Sequence, residues 1–349
     1  MDKIEKLVES LDRVGYNEAV CSSNGYLSRL FYQSQEVELP LPIKLDEELQ
    51  PFVGSLIVEK AGKIYSEVRI VPFNGLFFVV DSHALASTGG RDNYYSHKPG
   101  MYGLVGSDGM IFANYILSQI KGHQFESGLD LCTGSGVVGI SLSAFFESMH
   151  AVDIDEASIP WARFNARINR RSNFSCMHGD LYEPVRGSGP YEVITANPSY
   201  AFYSEEFKEE YQVKEHEVGG DYGLELILQI IDGYDEFLDA SGTGYICTLT
   251  PILNGRDYLI DRLEERYSQK GYRFEVYYNH CEVMDDRLKD YYASLGISRF
   301  CFVYIKTVKS RQFQIQRKYS SLYYISKFPI PRKMPHGLKR FIKKVLLPS

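Results

Sequence analysis

Apolar positions make the first division of the chain. Near its start Ile4, Leu7, Val8 and Leu11 recur at helical spacing, Tyr26, Leu27, Leu30 and Phe31 repeat the pattern, and Asp46 to Val53 supports a third short helix. Strand-like runs then take over. Leu56-Ile-Val58, a turn at Ala61-Gly62, Ile64 to Val71 and Leu76 to Val80 predict a small antiparallel sheet. From about Met110 strands and helices alternate. Strands are predicted near 128–131, 150–154, 173–177, 191–196, 244–249, 273–278 and 299–305, and helices near 110–121, 137–146, 156–170, 222–239 and 255–270. Such alternation predicts an α/β fold, a doubly wound, mostly parallel sheet between helices, with its ligand at the carboxyl ends of the strands.

The change of pattern divides the chain into residues 1–104, 105–308 and 309–349. Three helices followed by a hairpin resemble a winged-helix module of α+β type. That segment is not basic, which disfavours direct DNA binding and leaves a structural or substrate-positioning role. Between Ser82 and Gly109 lies a connection rich in Gly, Ser and Tyr, containing Gly89-Gly-Arg-Asp-Asn-Tyr-Tyr-Ser-His97 and Pro99-Gly-Met-Tyr102. Its aromatic content argues against plain disorder. An unpatterned connection of this length either closes over a ligand or packs as a linker between domains. Tyr95 and Tyr102 are its candidate substrate contacts.

A chain of 349 residues, 44% hydrophobic and 24% charged, can build one large or two ordinary domains with their own cores. The apolar run Leu76-Phe-Phe-Val-Val80 is far short of the roughly 20 residues a membrane helix needs. The start Met1-Asp-Lys-Ile-Glu5 lacks the apolar core of a signal peptide, so a cytoplasmic chain is expected. Six cysteines without a paired CxxC spacing predict neither a zinc site nor a disulfide framework, and no metal is expected. The net charge of -7 conceals an asymmetry. From Lys306 to Ser349 there are 12 Lys and Arg and no acid, whereas the preceding 305 residues carry 26 basic and 45 acidic side chains, a balance of -19. This basic tail, with Tyr319, Tyr323, Tyr324, Phe328 and Phe341 interleaved, suits a phosphate backbone with stacked bases. It also suits an anionic membrane or acidic protein partner, and before these the acidic body of its own chain.

Candidate chemistry collects at predicted strand ends. Asp130-Leu-Cys-Thr-Gly-Ser-Gly-Val-Val-Gly139 joins a strand to a helix, and Gly134 and Gly136 permit the tight turn that exposes free amides at the helix start. Asp153 ends the next strand in Ala151-Val-Asp-Ile-Asp155, 17 residues after Gly136, and Gly179-Asp-Leu-Tyr182 puts Asp180 at the end of the third. Any one of these acids reads equally well as a helix cap or turn residue. Three in order make a coherent nucleoside site. Asn197-Pro-Ser-Tyr200 closes the fourth strand, and Glu217-Val-Gly-Gly-Asp-Tyr-Gly-Leu-Glu225 follows it.

Taken together these motifs resemble the class I S-adenosylmethionine-dependent methyltransferases, and among them the branch that methylates planar nitrogen through Asn-Pro-Pro-Tyr. Ser199 stands here where that motif has its second proline. The run from Glu217 to Glu225 is similar to the acidic Gly-Gly-x-x-Gly-Leu segment of HemK-type protein-glutamine methyltransferases. The resemblance covers about residues 105 to 255. The family's N-terminal part is a helical substrate-recognition domain, whereas this chain predicts a hairpin there.

The resemblance implies a seven-stranded sheet whose final strand is antiparallel, which the absence of a clear crossover between Asp285 and Leu295 suits. It implies S-adenosyl-L-methionine as cofactor, a catalytic domain at 105–308 and a basic extension at 309–349. Asp130 would face the cofactor's ammonium, with Thr133, Gly134 and Gly136 in the turn, and Asn197 would border the cofactor as well as the acceptor. Asp153 would accept the ribose hydroxyls beside Ile154, and Asp180 would receive the adenine amino group while Leu181 donates its amide. A carboxylate at Asp153 also disfavours the 2′-phosphate of NADP. The Asn197 side-chain oxygen and the Pro198 carbonyl are suited to accept both N–H groups of a planar nitrogen, Tyr200 to stack on it, and Ser199 to alter the loop or its substrate. Alignment of nitrogen, methyl and sulfur at about 3 Å then supplies rate through proximity, without a metal. The acceptors implied are a protein glutamine amide or a small-molecule nitrogen. An RNA or DNA base amine is the alternative that the tail suggests, and a non-catalytic cofactor-binding interaction protein is the one that Ser199 suggests.

Overall fold

The computed structural model describes residues 2–17, 27–32, 37–38, 48–53, 55–81, 107–211, 213, 218–282 and 288–320. Tyr95 and Tyr102, the connection around them and the tail beyond Ser320 lie outside the described residues. The chain forms two compact units, Met1–Tyr191 and Glu192–Ser349.

The first unit opens with α1 (Asp2–Arg13), whose Ile4, Leu7, Val8 and Leu11 are buried, as their spacing requires. Where the second and third helices are predicted, the described residues show a π-helical turn at Ser28–Tyr32, and helical Glu48 and Leu49 running into a 3-10 turn at Gln50–Phe52; the remaining residues there lie outside the described ones. β1 (Val37–Glu38), β3 (Lys63–Ser66) and β2 (Ile57–Lys60) form one antiparallel sheet in that order. β4 (Val68–Phe73) and β5 (Leu76–Asp81) form a separate hairpin. The single strand expected from Ile64 to Val71 is therefore broken. Ser66 breaks it locally: its hydroxyl donates to the Val68 carbonyl at 2.6 Å and accepts from the Val68 amide, while the Glu67 amide donates to Leu56. These segments share an apolar core with Phe164.

The same unit continues with α2 (Ser107–Ile120), β6 (Phe125–Leu131), α3 (Val137–Leu142), β7 (Phe146–Asp153), α4 (Ser158–Ile168) and β8 (Phe174–His178). β6 pairs parallel with β7, and β7 parallel with β8, as alternation predicts. Register aligns their carboxyl ends: Leu131 lies opposite Val152, and Asp153 opposite His178. β9 (Tyr191–Ala196) carries the chain from one unit to the next.

In the second unit α5 (Glu205–Tyr211) follows the tetrapeptide. The predicted helix 222–239 is instead interrupted. Tyr222 and Gly223 take positive φ angles of 49° and 76°, α6 spans Glu225–Asp232, a last turn α7 spans Tyr234–Phe237, and β10 (Leu238–Leu253) starts at once. β11 (Arg256–Asp257) returns along β10, α8 (Tyr258–Tyr267) leads to β12 (Tyr272–Glu282), and α9 (Lys289–Ser294) to β13 (Ile297–Lys309). β13 lies antiparallel between β10 and β12, as expected of the final strand. β14 (Gln314–Tyr319) is an addition to the expected strands: it pairs parallel with β12, and Lys318 Nζ meets Glu275 Oε2 at 2.7 Å.

Candidate active site

A tight turn at the end of β6 forms because its residues adopt backbone angles that most side chains resist. Gly134 and Gly136 have φ of 52° and 85°, and Cys132 itself sits at 55°. The turn is tied to its neighbour strands. Thr133 N donates to the Val152 carbonyl at 3.1 Å, and Gly136 N returns to the Thr133 carbonyl at 2.8 Å. Asp130 is buried beneath, where its Oδ2 accepts from Thr133 Oγ1 at 2.6 Å and from Gly139 N at 2.9 Å. Asp130 thus braces the turn from inside and places a charge under it.

Asp153 braces the turn from the next strand. Its Oδ2 accepts from Gly134 N at 2.6 Å and its Oδ1 from Asp155 N at 2.8 Å. Ile154, the following residue, is 52% exposed, which leaves an apolar side chain beside the acid. The third strand end joins the same place. Gly179 N donates to the Asp153 carbonyl at 3.0 Å, Asp180 is exposed, and Leu181 is half-buried at φ 41°. One thiol reports all three acids. The Cys132 thiol is pushed well above its ordinary range, first by burial and then by Asp153, Asp130 and Asp180. Eight of the nine residues expected to hold a cofactor therefore lie at three adjoining strand ends, and the ninth, Asn197, follows β9 in the second unit.

Asn197, Pro198, Ser199 and Tyr200 follow β9 in the second unit. Pro198 is buried and the other three are half-buried. The Tyr200 ring packs edge-on against Phe302 of β13, with centroids 6.3 Å apart. The Gly-Gly-x-x-Gly-Leu segment proves to be the cradle of this loop. Gly219 N donates to the Ala201 carbonyl at 2.7 Å, and a side chain at Gly219 would come within 2.7 Å of the Ser199 carbonyl and 2.8 Å of Tyr200 Cα. Beyond the tetrapeptide, Tyr292 of α9 donates to the Phe202 carbonyl at 2.8 Å, and Phe202 packs on Tyr292 and Phe300. Tyr292 was not singled out in the sequence, because a tyrosine in a short polar segment gives no local sign of what it reaches.

Comparison with known proteins gives one family-model match. Residues 96–214 match the methyltransferase small domain. This match contains the turn, the three acids and the tetrapeptide. Similar curated proteins include the release factor glutamine methyltransferase of Chlamydia trachomatis serovar L2, 30% identical over 144 residues, or 39% of this chain and 49% of that protein. The ribosomal protein uL3 glutamine methyltransferase of Xanthomonas campestris pv. campestris is 31% identical over 130 residues, or 35% of this chain and 42% of that protein. The chain spans about half the length of these curated relatives. Among solved structures, a ribosomal protein L11 methylase from Lactobacillus delbrueckii subsp. bulgaricus is 16% identical with a TM-score of 0.38, covering 61% of this chain and 84% of that one.

Proposed function

We propose that the protein is an S-adenosylmethionine-dependent N-methyltransferase whose acceptor is a planar nitrogen, a protein glutamine amide before others. The observation that carries this reading is the convergence of Asp130, Asp153 and Asp180 on the braced glycine turn within the small domain. The set fits the cofactor. Three carboxylates favour a ligand that bears a sulfonium and an ammonium. Asp153 is assigned the ribose hydroxyls, Ile154 offers an apolar side chain to adenine, and the Leu181 amide and Asp180 carboxylate are assigned the edge of that base. S-adenosylmethionine supplies, when bound, an electrophilic methyl group.

The chain's part is to hold the acceptor. An amide nitrogen is a poor nucleophile because its lone pair is delocalised, so both of its N–H groups need acceptors as charge develops on transfer. Asn197 Oδ1 and the Pro198 carbonyl are assigned that role, and Tyr200, held by Phe302, packs on the plane of the group. Glutamine is placed first among acceptors because curated relatives of this chain are named for glutamine methylation. A cytoplasmic location is part of the same reading, and no helix among the described residues is long and apolar enough to cross a membrane.

The test is Asn197→Ala, assayed with radiolabelled cofactor and fractionated cell extract. Turnover into protein should fall by roughly tenfold or more while affinity for S-adenosylhomocysteine, measured by calorimetry, is retained. Unchanged turnover would remove the acceptor assignment. Label entering RNA or small molecules instead of protein would move the acceptor class, and cofactor binding without any transfer would make the chain a binding protein.

A further inference from the structure

Asn165 is a fully buried amide in the middle of α4, on the face that Ala162, Phe164 and Ala166 make apolar. Its Oδ1 accepts from Val79 N at 2.8 Å, and its Nδ2 donates to the Val79 carbonyl at 3.1 Å. One side chain thereby stands in for the next strand of a sheet. Asn169, at the end of the same helix, repeats the exchange with Phe77: its Oδ1 accepts from Phe77 N at 2.9 Å and its Nδ2 donates to the Phe77 carbonyl at 2.7 Å. The match is geometric. Four residues of helix rise about 6 Å and two residues of strand about 6.8 Å, so amides one helical turn apart meet alternate residues along one edge of β5. The other edge of β5 is paired with β4.

The two amides differ in one respect. Asn165 Nδ2 also donates to the Ser135 carbonyl at 3.0 Å, whereas the second bond of Asn169 Nδ2 stays within the helix, to the Asn165 carbonyl at 2.8 Å. Ser135 lies between Gly134 and Gly136, and Gly134 N is the donor that Asp153 holds. A continuous chain of hydrogen bonds thus runs from the backbone of β5 through Asn165 to the glycine turn and on to the acid of β7. Glycines in a turn have wide conformational freedom, and a turn built on them keeps one shape only where bonds of this kind hold it.

We propose that Asn165 is a positioning residue that sets the glycine turn from the position of β5, so that the N-terminal strands and the cofactor site are coupled through one side chain. The assignment rests on the reading of this turn as the S-adenosylmethionine site. By thermodynamic reciprocity, a ligand that fixes the turn also fixes β5, and an acceptor protein that engages the N-terminal strands changes affinity for the cofactor.

The experiment compares Asn165→Ser with Asn169→Ser in the full chain, since both remove the docking bonds to β5 and only the first releases Ser135. Two readouts are taken: S-adenosylhomocysteine affinity by calorimetry, and hydrogen exchange of the peptide covering residues 131–138. Asn165→Ser should weaken binding by about tenfold or more and accelerate exchange in the turn, because a buried carbonyl loses its donor. Asn169→Ser should lower the melting temperature while leaving both readouts near wild type. If Asn165→Ser shows no cooperative unfolding, Asn165→Asp carries the comparison, since it still accepts from Val79 N and can no longer donate to Ser135 as the carboxylate. Equal effects of the two serine variants, or no effect of Asn165→Ser on either readout, overturn the proposal. A wild-type chain that does not bind S-adenosylhomocysteine defeats the reading of the cofactor site instead, and the exchange comparison then decides the coupling by itself.

Discussion

Gly219→Ala should separate the two halves of the proposed reaction. A β-carbon built there lies 2.7 Å from the Ser199 carbonyl, 2.8 Å from Tyr200 Cα and 2.9 Å from the Gly223 carbonyl, all of them backbone atoms that cannot rotate aside. Carbon atoms in ordinary contact sit about 3.5 Å apart, so the Tyr200 backbone has to retreat by roughly 0.7 Å. A displacement near 1 Å of a group that orients a reactant costs about a hundredfold in rate, which sets the expected loss at roughly tenfold to a hundredfold. Apart from Asn197, the residues assigned to the cofactor lie elsewhere in the sequence, from Asp130 to Leu181, so affinity for S-adenosylhomocysteine should stay near the wild-type value. The assay is incorporation of labelled methyl into the protein fraction, with calorimetry on the same preparations. Gly255→Ala is the control: its φ of 81° strains any side chain, yet nothing lies within 4 Å of the added carbon, so it should cost stability and spare turnover. Wild-type turnover in Gly219→Ala, or an equal loss in Gly255→Ala, would refute the view that this segment is the cradle of the tetrapeptide.

Asp153→Ala withdraws the acceptor from Gly134 N and Asp155 N together, and should weaken S-adenosylhomocysteine binding by about tenfold or more in calorimetry. Cys176 is pushed up from 9.0 to about 12, first by burial and then by Asp153. Its folded pKa is the raised one, so the stability it contributes is present below pH 9 and is lost as pH rises from 9 towards 12, where the unfolded chain releases the proton first. Urea midpoints should fall across that interval, and less steeply in Cys176→Ala. Ending the chain after Lys309 removes β14 and bares the edge of β12, which should lower the melting temperature by several degrees, whereas ending it after Ser320 keeps the strand and its Lys318–Glu275 pair.

The amino-acid sequence by itself determined the alternation of strands and helices, the three acids at successive strand ends and the Asn-Pro-Ser-Tyr turn. Each of the seven strands predicted from Met110 onward is present, because hydrophobic period and strand-end chemistry are written in neighbouring residues. Local signals failed where a local bond overrode them, as at Ser66, or where glycine changed the backbone, as at Gly223 in the helix predicted over 222–239. Tertiary structure alone decided what the remaining motifs are for. Asp130 and Asp153 brace the glycine turn as well as charging it, the Gly-Gly-x-x-Gly-Leu segment packs on the backbone of residues 199–201, and Asn165 joins residues 79 and 135. An asparagine on an apolar helix face was the one visible sign of the last. Its partners lie 86 and 30 residues away, and the period of one helix carries no information about what such a distant backbone will bring to it.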